Sequence, residues 1–165
     1  FAALPGVDPR RALGTAVDEA IAEGRGEAGA GASLLAQVTF DDGTLPLEEC
    51  DLVVEAERVG LHDKVRWLRT LEARMAPGAV LAACSGTLPV QRFANRLDRP
   101  EQFLAFEIAA EPPRRAVLHA TPKTAPGATE ALRHFLRSLG LAPSDAPAAG
   151  PAAARPTPAW SRHQG

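Results

Sequence analysis

The chain has 165 residues, 45% of them hydrophobic and 23% charged, a balance that suits one soluble domain large enough to bury a core. A net charge of −2 and a pI near 6.1 leave no bulk attraction for nucleic acid or an anionic membrane surface. No run approaches the roughly 18 apolar residues that a membrane span needs. Cys50 and Cys84 are too few for a disulfide scaffold, and His62, His134 and His163 have no second ligand at metal spacing, so no metal site is expected. The chain opens at Phe1 without a basic region followed by an apolar stretch; no signal peptide is expected, and the cytosol is the default compartment.

Residues 8–24 read as a helix, with Asp8 as cap, Pro9 in the first turn, and Leu13, Val17 and Ile21 on one face. Residues 24–31 (GRGEAGAG) read as a loop, 34–40 as a strand, and Asp41-Asp42-Gly43 as a turn. The apolar run at 51–56, bounded by charge, suits a strand buried on both faces. Leu61, Val65, Leu68, Leu71 and Met75 then recur at helical spacing until Pro77-Gly78 stops the helix. Residues 79–84 read as the next buried strand and 85–87 as the turn leaving it; a short helix follows over 89–97 with Pro89 near its start. Strands are expected at 103–109 and 116–120, joined by a loop over 111–115. A last helix follows, with Thr124 as cap, Leu132, Phe135, Leu136 and Leu139 on its face, and Gly140 as its stop.

Strands alternating with helices of this length predict an α/β domain with a largely parallel sheet. The tail from Leu141 is different. Thirteen of its 25 residues are Ala or Pro, and its only large apolar residues are Leu141 and Trp160. It cannot bury enough surface to offset chain entropy, so residues 1–140 are expected to form the domain and 141–165 a disordered tail.

The segments CDLVVEA (50–56), LHDKVRWLRTLEARMAPGAVLA (61–82), GTLPV (86–90) and RPEQFLAF (99–106) follow one another in an order and spacing that resemble the NAD-binding domain of 3-hydroxyacyl-CoA dehydrogenases. That family typically carries DLVIEAVVE, a helix with an early Lys, APxAILASNTSSL and RPERFLGLHFFNP. The resemblance spans roughly residues 7–140. It implies a Rossmann-like fold, NAD as cofactor, and oxidation of a 3-hydroxyacyl-CoA to the 3-oxoacyl-CoA in acyl-CoA and fatty-acid metabolism. It also implies a helical second domain that completes the substrate cleft and often mediates a homodimer. The family's first strand and GxGxxG turn would lie before Phe1, and its DxPGFxxNR entry into the helical domain survives only as Asp145-Ala146-Pro147. An incomplete member is therefore expected, inactive as an isolated chain.

For the site, the resemblance places Glu55, Ala56 and Lys64 at the cofactor. The acidic residue that holds the adenosine ribose aligns with Gly6, and the carboxylate after the VVEA turn with Val59, beside Glu57 and Arg58. The family's substrate-binding Ser aligns with Gly86, next to Thr87, and its Asn with Cys84. Arg114 and Arg115 stand in a loop, where they either meet CoA phosphates or face solvent. The family His that takes the hydroxyl proton aligns with Glu107, and the Glu that orients it, twelve residues on, aligns with His119. A base titrating near working pH favours His for that step. Two readings stay open: a reversed pair, with His119 as base and Glu107 orienting it, or drift in a non-catalytic binding module that keeps the Rossmann scaffold.

Overall fold

The alternation of apolar runs and helical stretches becomes a five-stranded sheet in the computed structural model, which describes residues 8–24, 33, 36, 38, 46–56, 60–84, 89–109 and 115–147. The chain divides into two compact units, Phe1–Cys50 and Asp51–Gly165. In the first, helix α1 (Pro9–Ala22) begins where Asp8 Oδ1 accepts the Arg10 and Arg11 amides at 3.0 and 3.3 Å. That carboxylate satisfies two N–H groups that the helix itself cannot. A 3₁₀ turn covers Leu47–Glu49. The strand expected at 34–40 lies almost wholly outside the described residues, but Ala36 within it is helical. A short run of Ala and Leu suits a helix as well as a strand, and periodicity alone does not separate them.

The second unit runs β1 (Leu52–Glu55), α2 (Leu61–Arg74), β2 (Val80–Cys84), α3 (Val90–Ala94), a 3₁₀ turn (Pro100–Gln102), β3 (Phe103–Ile108), β4 (Arg115–His119), α4 (Pro126–Ser138) and β5 (Ala142–Asp145). The spatial order is β1-β2-β3-β4-β5. β1–β2, β2–β3 and β4–β5 pair in parallel, and β3–β4 is antiparallel. This is the expected α/β, Rossmann-like, largely parallel sheet.

Because side chains alternate across a strand, the register sorts the sheet into two faces. Val80, Ala82, Leu104, Phe106, Ala116 and Leu118 point to one face, where Ala128, Leu132 and Leu136 of α4 cover them. Burying a leucine there stabilises by about 1.5–3 kcal/mol. The opposite face carries Val53, Glu55, Leu81, Ala83, Phe103, Ala105 and His119. There Phe93 of α3 meets Phe103 edge to face, ring centroids 6.5 Å apart.

Several local expectations change. β1 was read as buried on both faces, yet Val54 is 40% exposed. β1 stands at the edge of the described sheet, with Leu52 packed against the core and Val54, two residues on, left open. Thr124 does not cap α4. The N-cap is Ala125, with Pro126 in the first turn, and the Thr124 hydroxyl instead donates to the Phe103 carbonyl at 2.8 Å. Proline has no N–H to cap, so the hydroxyl is better used tying this turn to the foot of β3.

The tail is not structureless from Leu141. That residue is buried, and Ala142–Asp145 form β5 beside β4, extended by the Ala146 amide donating to Leu118 O at 2.7 Å. Arg133 of α4 reaches Asp145 Oδ1 at 2.8 Å and Glu130 Oε1 at 3.0 Å, and hydrogen bonds to Asp145 first and Glu130 second raise its pKa above the ordinary arginine value. Backbone pairing and this tether hold a segment that its composition would leave loose. Residues 148–165 lie outside the described residues.

Gly140 ends α4 as expected. Its amide meets Arg137 O and the Leu141 amide meets Leu136 O, the double closure of a Schellman turn, with Gly140 at φ +73°. Leu139, expected on the buried face, is the C-cap and is exposed. A Cβ at Gly140 would meet no neighbour, so only backbone strain resists a side chain. Gly140→Ala is expected to lower stability by about 1 kcal/mol, seen as a lower urea midpoint at unchanged slope.

Candidate functional site

β1, β2 and β3 run in parallel and end at Glu55, Cys84 and Ile108 on one edge of the sheet. In open α/β sheets, ligands bind outside the carboxyl ends of the strands. The register lines up Glu55, Ala83, Ala105 and His119 in one row on one face. Three strand spacings of about 4.8 Å separate the ends of that row, roughly 14 Å. A pair of ionisable side chains stands at each end.

The first pair is Glu55 and Lys64, Oε2 to Nζ at 2.5 Å, with both side chains 1% exposed. Lys64 is the fourth residue of α2 and shares the inner stripe with Leu68, Leu71 and Met75, all buried. Their charged ends face each other. Ala56, the next residue, is exposed.

The second pair is His119 and Glu107. Glu107 lies opposite Val117 in the antiparallel ladder and His119 opposite Ala105, so both side chains leave the same face. Nε2 of His119 stands 3.3 Å from Glu107 Oε1, at the long end of hydrogen bonding, and the side chains are 21% and 25% exposed. Nε2 faces the carboxylate and leaves Nδ1 as the other ring nitrogen.

A network that the sequence reading missed closes the far end of α2. Buried Glu72 accepts the Asp98 amide at 3.0 Å and the Arg99 amide at 2.7 Å. The Arg99 guanidinium donates to Ala76 O at 2.7 Å and to the carbonyls of Glu72 and Met75, capping the helix where its carbonyls lack partners. A signal was present. Glu72 falls four residues after Leu68, on the apolar stripe, where a carboxylate needs buried donors.

Cys84 is half-buried at the end of β2, and Arg115 is exposed at the start of β4 rather than in a loop. Gly6, Glu57, Arg58, Val59, Gly86, Thr87, Arg114 and His163 lie outside the described residues, while His62 and His134 are exposed on helices. Among the described residues no group of three His, Cys, Asp or Glu could hold a metal ion, and no helix is long and apolar enough to cross a membrane.

Residues 8–145 match the family model of the 3-hydroxyacyl-CoA dehydrogenase NAD binding domain. Among solved structures, the fold is similar to that of a 3-hydroxyacyl-CoA dehydrogenase from Archaeoglobus fulgidus, with 26% identity and a TM-score of 0.62 over 82% of this chain and 44% of that one. An (S)-3-hydroxybutyryl-CoA dehydrogenase from Ralstonia eutropha is similar with 16% identity and a TM-score of 0.70, covering 82% and 48%. A 3-hydroxybutyryl-CoA dehydrogenase from Escherichia coli K12 gives 18% identity and 0.68, covering 82% and 29%. The chain thus spans less than half the length of these three structures. No curated protein matches the sequence.

Proposed function

Because this chain belongs to the 3-hydroxyacyl-CoA dehydrogenase family through its NAD-binding domain, we propose that it forms the cofactor-binding half of an enzyme oxidising a 3-hydroxyacyl-CoA, with the acid–base pair reversed. The observation that carries this reading is the 3.3 Å contact between His119 and Glu107, which an accumulation of unrelated changes has no reason to keep. NAD, when bound, supplies the hydride acceptor. The carboxyl edge of β1–β3 suits such a nucleotide, since small, exposed Ala56 leaves the backbone approachable at the end of β1.

The chain's own groups then divide the work. His119 takes the proton of the 3-hydroxyl as hydride leaves the same carbon, and Glu107 fixes the ring and offsets the positive charge it gains. Glu55 and Lys64 serve the cofactor by holding the end of β1 against α2. The domain is taken as 1–147, ending past β5, with residues 148–165 as the tail. A helical half completes the acyl-CoA cleft and supplies a homodimer contact, so the isolated chain does not turn over. A cytosolic place in acyl-CoA metabolism is part of the same proposal.

The test is reduction of acetoacetyl-CoA by NADH. The complete protein is expected to consume NADH and the isolated chain is not. A complete protein that binds NADH but never consumes it would instead favour the non-catalytic binding module, which the alignment of Gly86 with the family Ser already suggests.

A further inference from the structure

The Glu55–Lys64 pair is an odd feature to bury. Each charge is taken out of water, which costs several kcal/mol per ion and is repaid by mutual attraction only when the geometry is good. Lys64 also sits in the first turn of α2, where the helix dipole disfavours a cation. It fills a slot on the Leu68, Leu71 and Met75 stripe that an apolar residue would occupy without penalty. Apolar pairs of similar volume often match or exceed such an ion pair in stability, and the best-attested use of a buried pair is to fix register.

The pair's location gives that register a purpose. It joins the last residue of β1 to the fourth residue of α2, across the connection at the carboxyl edge where nucleotides bind in sheets of this kind. Inside the first turn of α2, the Lys64 amide donates to Gly60 O at 2.9 Å, so one residue anchors this turn by both its backbone and its side chain.

We propose that Glu55 and Lys64 are positioning residues, whose buried ion pair fixes the end of β1 against the first turn of α2 and thereby sets the affinity for the dinucleotide without touching it. This rests on the NAD-binding reading above. Buried away from water, the carboxylate and the ammonium must stay in contact, whereas two thioether side chains can pack in several ways.

The experiment compares the parent chain with Glu55→Met/Lys64→Met and with the charge-reversed Glu55→Lys/Lys64→Glu. The apolar variant is expected to melt cooperatively at or above the parent temperature. Its backbone amides at positions 56 and 64 are expected to exchange about tenfold faster than in the parent while β2 and β3 keep their protection. NADH fluorescence titration is expected to give about tenfold weaker binding, and charge reversal is expected to recover most of both losses. An apolar variant with parental exchange and parental NADH affinity overturns the proposal. If the apolar variant does not fold, a charge-reversed variant that folds without recovering affinity overturns it, and loss of the fold in both does so too, by assigning the pair to folding alone. A parent chain that does not bind NADH sinks the NAD-binding reading, and amide exchange still decides the role of the pair.

Discussion

Lys64→Met alone is expected to destabilise the chain by about 3–5 kcal/mol, because it leaves the Glu55 carboxylate buried without its counter-charge. The side chain of Glu55 is 1% exposed, so water cannot replace the ammonium without opening the seam between β1 and α2. Arg66→Met, two residues on in the same helix, is the control. Its pair with Asp63 also spans a short distance, 2.9 Å, but its side chains are 75% and 57% exposed. Exposed pairs of that kind are worth about 0–1 kcal/mol. Urea unfolding of the two variants therefore separates a buried pair from a solvated one with similar charges. Equal midpoints would mean that Glu55 has ready access to solvent.

In the complete protein, His119→Ala is expected to lower kcat/KM for acetoacetyl-CoA reduction by about 10²–10⁴-fold, the usual contribution of a positioned general acid or base. Glu107→Gln keeps the shape and removes the charge, and a smaller fall is expected. The decisive variant is Glu107→His/His119→Glu, which restores the family's order. A chain tuned to the reversed pair loses activity on this exchange, since a misplacement of about 1 Å can cost a hundredfold. A chain whose pair has drifted gains activity instead.

Much of the fold was legible in local pattern. The runs at 51–56 and 79–84, the helical spacing from Leu61 to Met75, and Gly140 after Leu136 each carry their own physical signature, and each element stands where that pattern puts it. What was not legible depends on neighbours. The exposure of Val54 goes with its strand's place at the edge of the sheet among the described residues, and β5 follows from a flank on β4 that Ala142–Asp145 fill. Thr124 has cap chemistry, but a carbonyl of β3 claims its hydroxyl.

The site divides in the same way. The twelve-residue spacing of Glu107 and His119 came from the family resemblance, and only the antiparallel register brings them to one face. Lys64 was noticed only as a cation placed at the cofactor by the resemblance; its burial, and the partner nine residues back on β1 that makes this tolerable, could be found only in three dimensions. Glu72 and Arg99 are separated by 27 residues and went unread for the same reason.

We expect the nucleotide at the carboxyl edge of β1, β2 and β3, and an NADH titration of the chain followed by backbone amide NMR reads this out. Ala56, Cys84 and Glu107 are expected to shift together along one binding curve while α4 and β5 stay still. Shifts confined to α4 and β5, or none at saturating NADH, would contradict it.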